Sequence, residues 1–263
     1  MDKLVKFFKN PGEILGKLFD TASNNIGFLL ISILVVAVIL GLAYGSEFYF
    51  SKKAGVARNS EKLRVKRMAL IALLAALAFI LNMFSFPLGF LPSFYKIDAS
   101  ELPVLIGAFT LGPVAGVVIE FIKIILNLLI GGTSTAFVGE FANFVIGCAF
   151  IVPAAIIYYA KKTKKNAIIG VITGTIVCII AGCMLNAFLL LPAYAKALDM
   201  RLEQIIGMGT EKNSAITSMS TFVLLAVAPF NLIKCGGVSV ITVLIYKKIS
   251  HLLKGNDIKN TAA

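Results

Sequence analysis

Tryptophan is absent from this 263-residue chain, and histidine occurs once, as His251. A lone histidine leaves no set of imidazoles for a zinc site and no His-based acid–base pair inside the chain. The four cysteines (Cys148, Cys178, Cys183, Cys235) all lie in apolar stretches and include no C-x-x-C pair, so neither a metal site nor a disulfide framework is implied. No G-x-x-x-x-G-K-[ST] phosphate loop and no G-x-S-x-G elbow occur, so the chain has no motif for using ATP itself or for serine hydrolysis. Charge is scarce, at 14% of residues. These absences argue against an enzyme and predict no catalytic residues, no metal and no cofactor.

What fills the space is apolar: 59% of residues are hydrophobic and the mean hydropathy is +0.92, which predicts an all-α, multi-pass integral membrane protein. The net charge of +12 does not indicate nucleic acid. The basic residues sit in short runs beside apolar segments, the pattern of cytoplasmic loops.

Residues 1–25 read as an amphipathic leader, with Lys3, Lys6, Lys9 and Lys17 among large apolar side chains. Residues 26–45 form a first span, and residues 46–67 a basic cytoplasmic linker containing Lys52, Lys53, Arg58, Lys62, Arg64, Lys66 and Arg67. A membrane domain over 68–250 and a cytoplasmic tail over 251–263 complete the division. Within the domain, 68–87 is a span whose Ala69, Ala72 and Ala76 share one face, a small-residue strip that lets another helix approach closely. Residues 102–111 would make only about 15 Å of helix, short of a hydrocarbon core of ~30 Å. Reading 102–111 and 114–130 as two passes that turn at Gly112-Pro113 returns the run Lys161–Lys165 to the cytoplasm, as the charge bias requires. Spans over 141–159, 167–192 and 221–246 follow, with 193–218 a polar external loop. The domain then has six spans with both ends inside, and the extra N-terminal span places Met1 outside.

The linker over 91–113 carries Phe94, Tyr95, Lys96, Asp98 and Glu101 between two apolar segments, and Ser100 is placed to cap a helix starting at Glu101. Charged or amide groups inside spans are costly and mark functional positions. Glu120, Lys123 and Asn127 share a helical face, and a structural Glu120–Lys123 ion pair is the plain alternative to a functional role. Glu140 and Asn143 open the helix after Gly131-Gly132-Thr133-Ser134-Thr135, with Ser134 or Thr135 as its cap. Asn186 lies in the outer half of its span. The segment 229–237 sets Pro229, Asn231, Lys234 and the pair Gly236-Gly237 at mid-depth, the composition of a discontinuous helix. Two amides and an ammonium pointing inward suit a planar ligand with carbonyls and ring nitrogens.

The motifs FYKIDASELPVLIGAFTLGPVAGV, IEFIKIILNLL, GTSTAFVGEFANFVIG and PFNLIKCGG, in this order, resemble the riboflavin-specific substrate-binding (S) components of the energy-coupling factor (ECF) vitamin transporters. The likeness covers roughly 63–254, and residues 1–45 lie outside it. It implies a six-helix bundle, here with one extra N-terminal transmembrane helix, in the bacterial plasma membrane. It implies riboflavin bound near the outer face and carried across with a separate transmembrane coupling subunit and two cytoplasmic ATPases. A lid over 91–98, from Leu91 to Asp98, would cover the ligand; Asn186, Asn231 and Lys234 match the family's ring-binding residues, and Ala72 and Ala76 its coupling-subunit contact. The substrate set expected is therefore Leu91, Phe94, Tyr95, Lys96, Asp98, Glu140, Asn143, Asn186, Asn231 and Lys234. The competing expectation is a stand-alone carrier using Glu120, Lys123 or Glu140 as a proton relay.

Overall fold

The computed structural model describes residues 11–54, 61–89, 91–133 and 135–254. The leader lysines Lys3, Lys6 and Lys9, Arg58 in the linker, Ser134 and the tail beyond Lys254 lie outside the described residues. Helix α1 (Pro11–Asn24) leads directly into α2 (Ile26–Ala54), and α3 spans Glu61–Met83. A two-residue hairpin pairs Phe86 with Ile97 and Pro87 with Lys96 as strands β1 and β2. Helices α4 (Glu101–Leu111), α5 (Pro113–Gly131), α6 (Val138–Ala160) and α7 (Lys164–Leu185) follow. A π-helical turn at Asn186–Leu190 joins α7 to α8 (Leu191–Ala197), and α9 (Leu202–Thr210) lies beyond it. Helix α10 (Met219–Phe222) passes through a second π-helical turn at Val223–Val227 into α11 (Ala228–Lys254). Among the described residues six helical stretches are long and apolar enough to cross a membrane, and α4 is a shorter apolar helix.

The expected turn at Gly112-Pro113 is present. Gly112 takes φ +105°, a value open to glycine and strained for other residues, and α4 and α5 fold back side by side. The close approach is visible at Gly116, where an added Cβ would lie 2.6 Å from the Ala108 Cβ. Being buried between neighbours is what allows α4 to be short. The α6–α7 hairpin is drawn together the same way. A Cβ at Gly170 would stand 2.7 Å from the Ala154 carbonyl, and one at Gly174 would strike that of Phe150. Gly170 and Gly174 stand four residues apart on one face of α7, which lets the helices approach closely.

Helix α2 docks on the bundle. Its Phe28 meets Phe141 edge-on at 5.4 Å, and at its other end Glu47 accepts from Arg67 at 2.9 Å and from the Val114 N–H at 3.3 Å. Glu47 thereby satisfies a donor at the start of α5, where Pro113 has none to offer.

Several expected boundaries shift. Helix runs to Ala54 and resumes at Glu61, so most of the 46–67 linker is helical, and α11 runs past His251 to Lys254. The 193–218 segment is not a plain polar loop. It carries the end of α8 and all of α9, and it buries Ile205 of α9 and Ile216 of the following loop against the bundle. In α11 the diglycine lies within regular helix. The irregularity falls instead at Val223–Val227, just before Pro229, whose missing N–H cannot close the preceding turn. Pro192 stands in the same relation to Asn186–Leu190.

Candidate substrate-binding site

Two apolar clusters fill the bundle. One gathers Leu91, Tyr95, Phe141, Phe144, Phe222 and Phe230 under the loop that follows α3. The other gathers Ala75, Phe109, Phe150 and Tyr158 toward the opposite end. Helix α6 passes from the first to the second between Cys148 and Phe150, and the buried charges lie at about that level.

The roof is aromatic. Phe94 stacks on Tyr194 with centroids 5.2 Å apart and tilts against Tyr95 at 4.8 Å. Tyr95 in turn meets Phe230 edge-on at 5.1 Å and Phe222 at 6.2 Å. The Tyr95 hydroxyl donates to Asn186 Oδ1 at 2.7 Å. Burial first, then Tyr194 and Cys183, push its pKa well above the usual phenol range, so it remains a proton donor at any ordinary pH.

Beneath the roof the two amides meet at one glycine. Asn186 Nδ2 donates to the Gly182 carbonyl at 2.8 Å. A Cβ on Gly182 would lie 2.5 Å from Asn231 Nδ2. Asn231 Nδ2 donates to the Val227 carbonyl at 3.0 Å, while its Oδ1 faces the Cys178 thiol. Asn186 opens one π-helical turn, and Asn231 uses the last carbonyl of the other, a common location for functional residues.

Lys234, one turn from Asn231, donates to Asn143 Oδ1 at 3.3 Å and pairs with Asp98 Oδ2 at 3.5 Å. The lid thus reaches the transmembrane ammonium through Asp98. Burial alone would raise the Asp98 carboxyl. Lys234 and then Lys123, helped by the Ser100 N–H that it accepts at 2.8 Å, outweigh burial and hold its pKa at about 2.

Most of the expected set is therefore brought together: Leu91, Phe94, Tyr95, Asp98, Asn143, Asn186, Asn231 and Lys234. Lys96 is not: it is exposed on β2, because strand alternation turns it away from the core. Glu140 accepts from Thr133 at 3.1 Å and Thr135 at 3.4 Å and lies near Tyr194 of the roof. Thr135 accepts from the Gly139 N–H at 3.0 Å, but the N-cap position of α6 is Phe137, which makes no side-chain cap bond. Ser100 holds the position expected of a cap, but its side chain makes no cap bond. It accepts from Lys123 at 3.1 Å instead.

Sequence reasoning missed Tyr194, Phe222 and Phe230 as roof partners, since rings distant in sequence carry no local signal. The Glu120–Lys123 pair is present at 2.7 Å. It is larger than expected, because Glu101 also reaches Lys123 at 3.0 Å. The strip Ala69, Ala72 and Ala76 faces outward, while Ala75 and Ala78 on the same helix are fully buried.

An all-α bundle with amides and an ammonium enclosed under an aromatic lid is a membrane transport protein of the substrate-binding kind. The family described as "ECF transporter, substrate-specific component" matches residues 66–246, and the chain belongs to it: a multi-pass protein of the bacterial plasma membrane that serves transport rather than catalysis. It is 35% identical over 189 residues to the riboflavin transporter RibU of Staphylococcus aureus, covering 72% of this chain and 93% of that one. It is 31% identical to the riboflavin transporter FmnP of Bacillus subtilis, covering 71% and 93%. A solved S component of a bacterial ECF transporter superposes with TM-score 0.58 at 34% identity, covering 73% of this chain and 99% of that chain. Helices α1 and α2 precede the matched region, as the sequence reading expected.

Proposed function

We propose that this protein binds riboflavin at the extracellular side and delivers it across the membrane together with a transmembrane coupling subunit and two cytoplasmic ATPases. The observation that carries the reading is the meeting of Asn186 and Asn231 at Gly182 beneath Phe94 and Tyr95. Paired amide donors and acceptors suit the pyrimidine edge of an isoalloxazine, and the aromatic rings suit its face. The names of the relatives point to the same vitamin. Lys234 and Asn143 offer further polar contacts at the same depth. The Tyr95–Asn186 hydrogen bond closes the lid directly onto an amide, so the vitamin would replace that bond when it enters. The outward strip of Ala69, Ala72 and Ala76 is the surface on which the coupling subunit would seat, small side chains permitting close helix approach.

The test is a fluorescence titration of purified protein with riboflavin, FMN and unrelated vitamins. Riboflavin fluorescence should be quenched by stacking, and Asn231→Ala should weaken binding by about 1–3 kcal/mol. Absence of quenching removes the vitamin from the reading. Uptake that persists in cells with a disabled partner ATPase would replace the coupled scheme with a stand-alone carrier.

A further inference from the structure

The amides suit the ring system of a flavin, but that ring is common to riboflavin and FMN. The two differ in the side chain, which is a neutral polyol in one and a phosphate ester in the other. Choosing between them therefore falls to whatever polar groups stand at the edge of the aromatic roof. A polyol is met best by acceptors for its hydroxyls, and an ionised carboxylate is the strongest acceptor among side chains.

The loop between α5 and α6, at the same end of the bundle as the lid, brings such a carboxylate to the roof. Glu140 Oε2 accepts from the Thr133 hydroxyl at 3.1 Å and from the Thr135 hydroxyl at 3.4 Å. The backbone fixes both threonines in turn. Thr133 Oγ1 accepts from the N–H groups of Thr135 at 3.3 Å and Phe137 at 3.0 Å, and Thr135 Oγ1 from that of Gly139 at 3.0 Å. The loop turns through Ala136 at φ +48° and Phe137 at φ +71°, conformations that residues with side chains adopt only where their surroundings hold them. Gly139 then allows the close approach to the roof. A Cβ there would stand 2.8 Å from Thr135 Oγ1 and 3.4 Å from the Tyr194 hydroxyl. Tyr194 is the ring on which Phe94 stacks, and Glu140 lies near enough to act on it electrostatically. One half-buried carboxylate, two half-buried hydroxyls and a buried phenol thus meet beside the lid. No lysine or arginine occurs between Lys123 and Lys161, so the loop and α6 bring Glu140 no cation of their own.

We propose that Glu140, held by Thr133 and Thr135, receives the hydroxyls of the ribityl chain and sets a preference for riboflavin over its phosphate ester. The carboxylate accepts hydrogen bonds from the neutral polyol. It meets a terminal phosphate as a like charge, in a half-buried place where water and salt screen incompletely, so the wrong ligand is rejected by repulsion as well as by lost contacts. This role of Glu140 rests on the riboflavin reading and deepens it.

Quenching titrations of the purified full chain with riboflavin, FMN and lumiflavin test it; lumiflavin has the same ring system with a methyl group in place of the ribityl chain. Unaltered protein should bind FMN about tenfold or more weakly than riboflavin. Glu140→Gln keeps an accepting oxygen and removes the charge. It should strengthen FMN binding about tenfold, weaken riboflavin by no more than a few-fold and leave lumiflavin unchanged. Glu140→Asp, which keeps the charge, should retain the preference. In unaltered protein, raising salt from about 0.01 M to about 1 M shortens the screening length from ~30 Å to ~3 Å and should strengthen FMN alone. An unchanged ratio of FMN to riboflavin affinity in Glu140→Gln overturns the proposal. So does equal affinity for the two in unaltered protein, or a loss of lumiflavin binding as large as that of riboflavin, which would make Glu140 a support of the loop. The salt series decides the matter even if the variants do not fold. Unaltered protein that binds none of the three flavins would instead remove the riboflavin reading itself.

Discussion

Replacing Lys234 by Met keeps the length and most of the volume of the side chain while deleting its charge. Asp98 then loses its nearest cation, 3.5 Å away, and Asn143 loses its donor at 3.3 Å. The size of the first effect follows from the carboxyl itself. Its pKa is held at about 2 against a reference of 3.8, and each pKa unit corresponds to about 1.4 kcal/mol, so folding of the lid onto the bundle gains about 2 kcal/mol from this charge. Lys123 supplies part of that, and the hydrogen bond to Asn143 adds about 1 kcal/mol. A total near 3 kcal/mol agrees with the ~3–5 kcal/mol that truncating one member of a buried pair costs. In a chain of this size it corresponds to a fall in Tm of about 6–12 °C. Thermal unfolding in detergent, with and without riboflavin, measures it, and the same samples give affinity by quenching. The double variant Lys234→Met/Asp98→Asn should recover a good part of the stability, since the stranded acid is gone. Wild-type Tm and affinity in Lys234→Met, or no recovery in the double variant, would refute the link between lid and ammonium.

Three further outcomes follow from the same geometry. Because the Asp98 carboxyl is depressed, its contribution is complete above about pH 4 and is lost as pH falls toward about 2; acid unfolding of Asp98→Asn, followed by circular dichroism, should lack that component. Gly182→Ala should displace the Asn231 amide, which an added Cβ would approach to 2.5 Å, and weaken riboflavin binding about tenfold or more, although glycine itself offers no side chain to a ligand. The double variant Ala72→Leu/Ala76→Leu should bind riboflavin with unchanged affinity and lose uptake in cells, because both positions are exposed and remote from the lid; intact uptake would move the coupling surface elsewhere.

Hydropathy and charge determined the crossings. A run such as 26–45 has nowhere else to be stable, and the charge bias of the lysine runs allowed the short α4 to be recognised as a helix separate from α5. Helical periodicity also separated the outward Ala69, Ala72 and Ala76, and it flagged Asn186, Asn231 and Lys234 as polar groups too costly to be idle. Partnership was decided by the tertiary structure alone. Tyr95 finds Asn186 across 91 residues of chain, and Lys123 finds Glu101 across 22. No local pattern encodes a contact made only when helices pack. The same holds for Lys96, a polar residue of the right kind in the right stretch, which strand alternation leaves exposed. Burial energies and periodicity act along the chain and can be read from it. The convergence of side chains depends on how closely helices approach, and here glycines such as Gly147 and Gly182 set that distance.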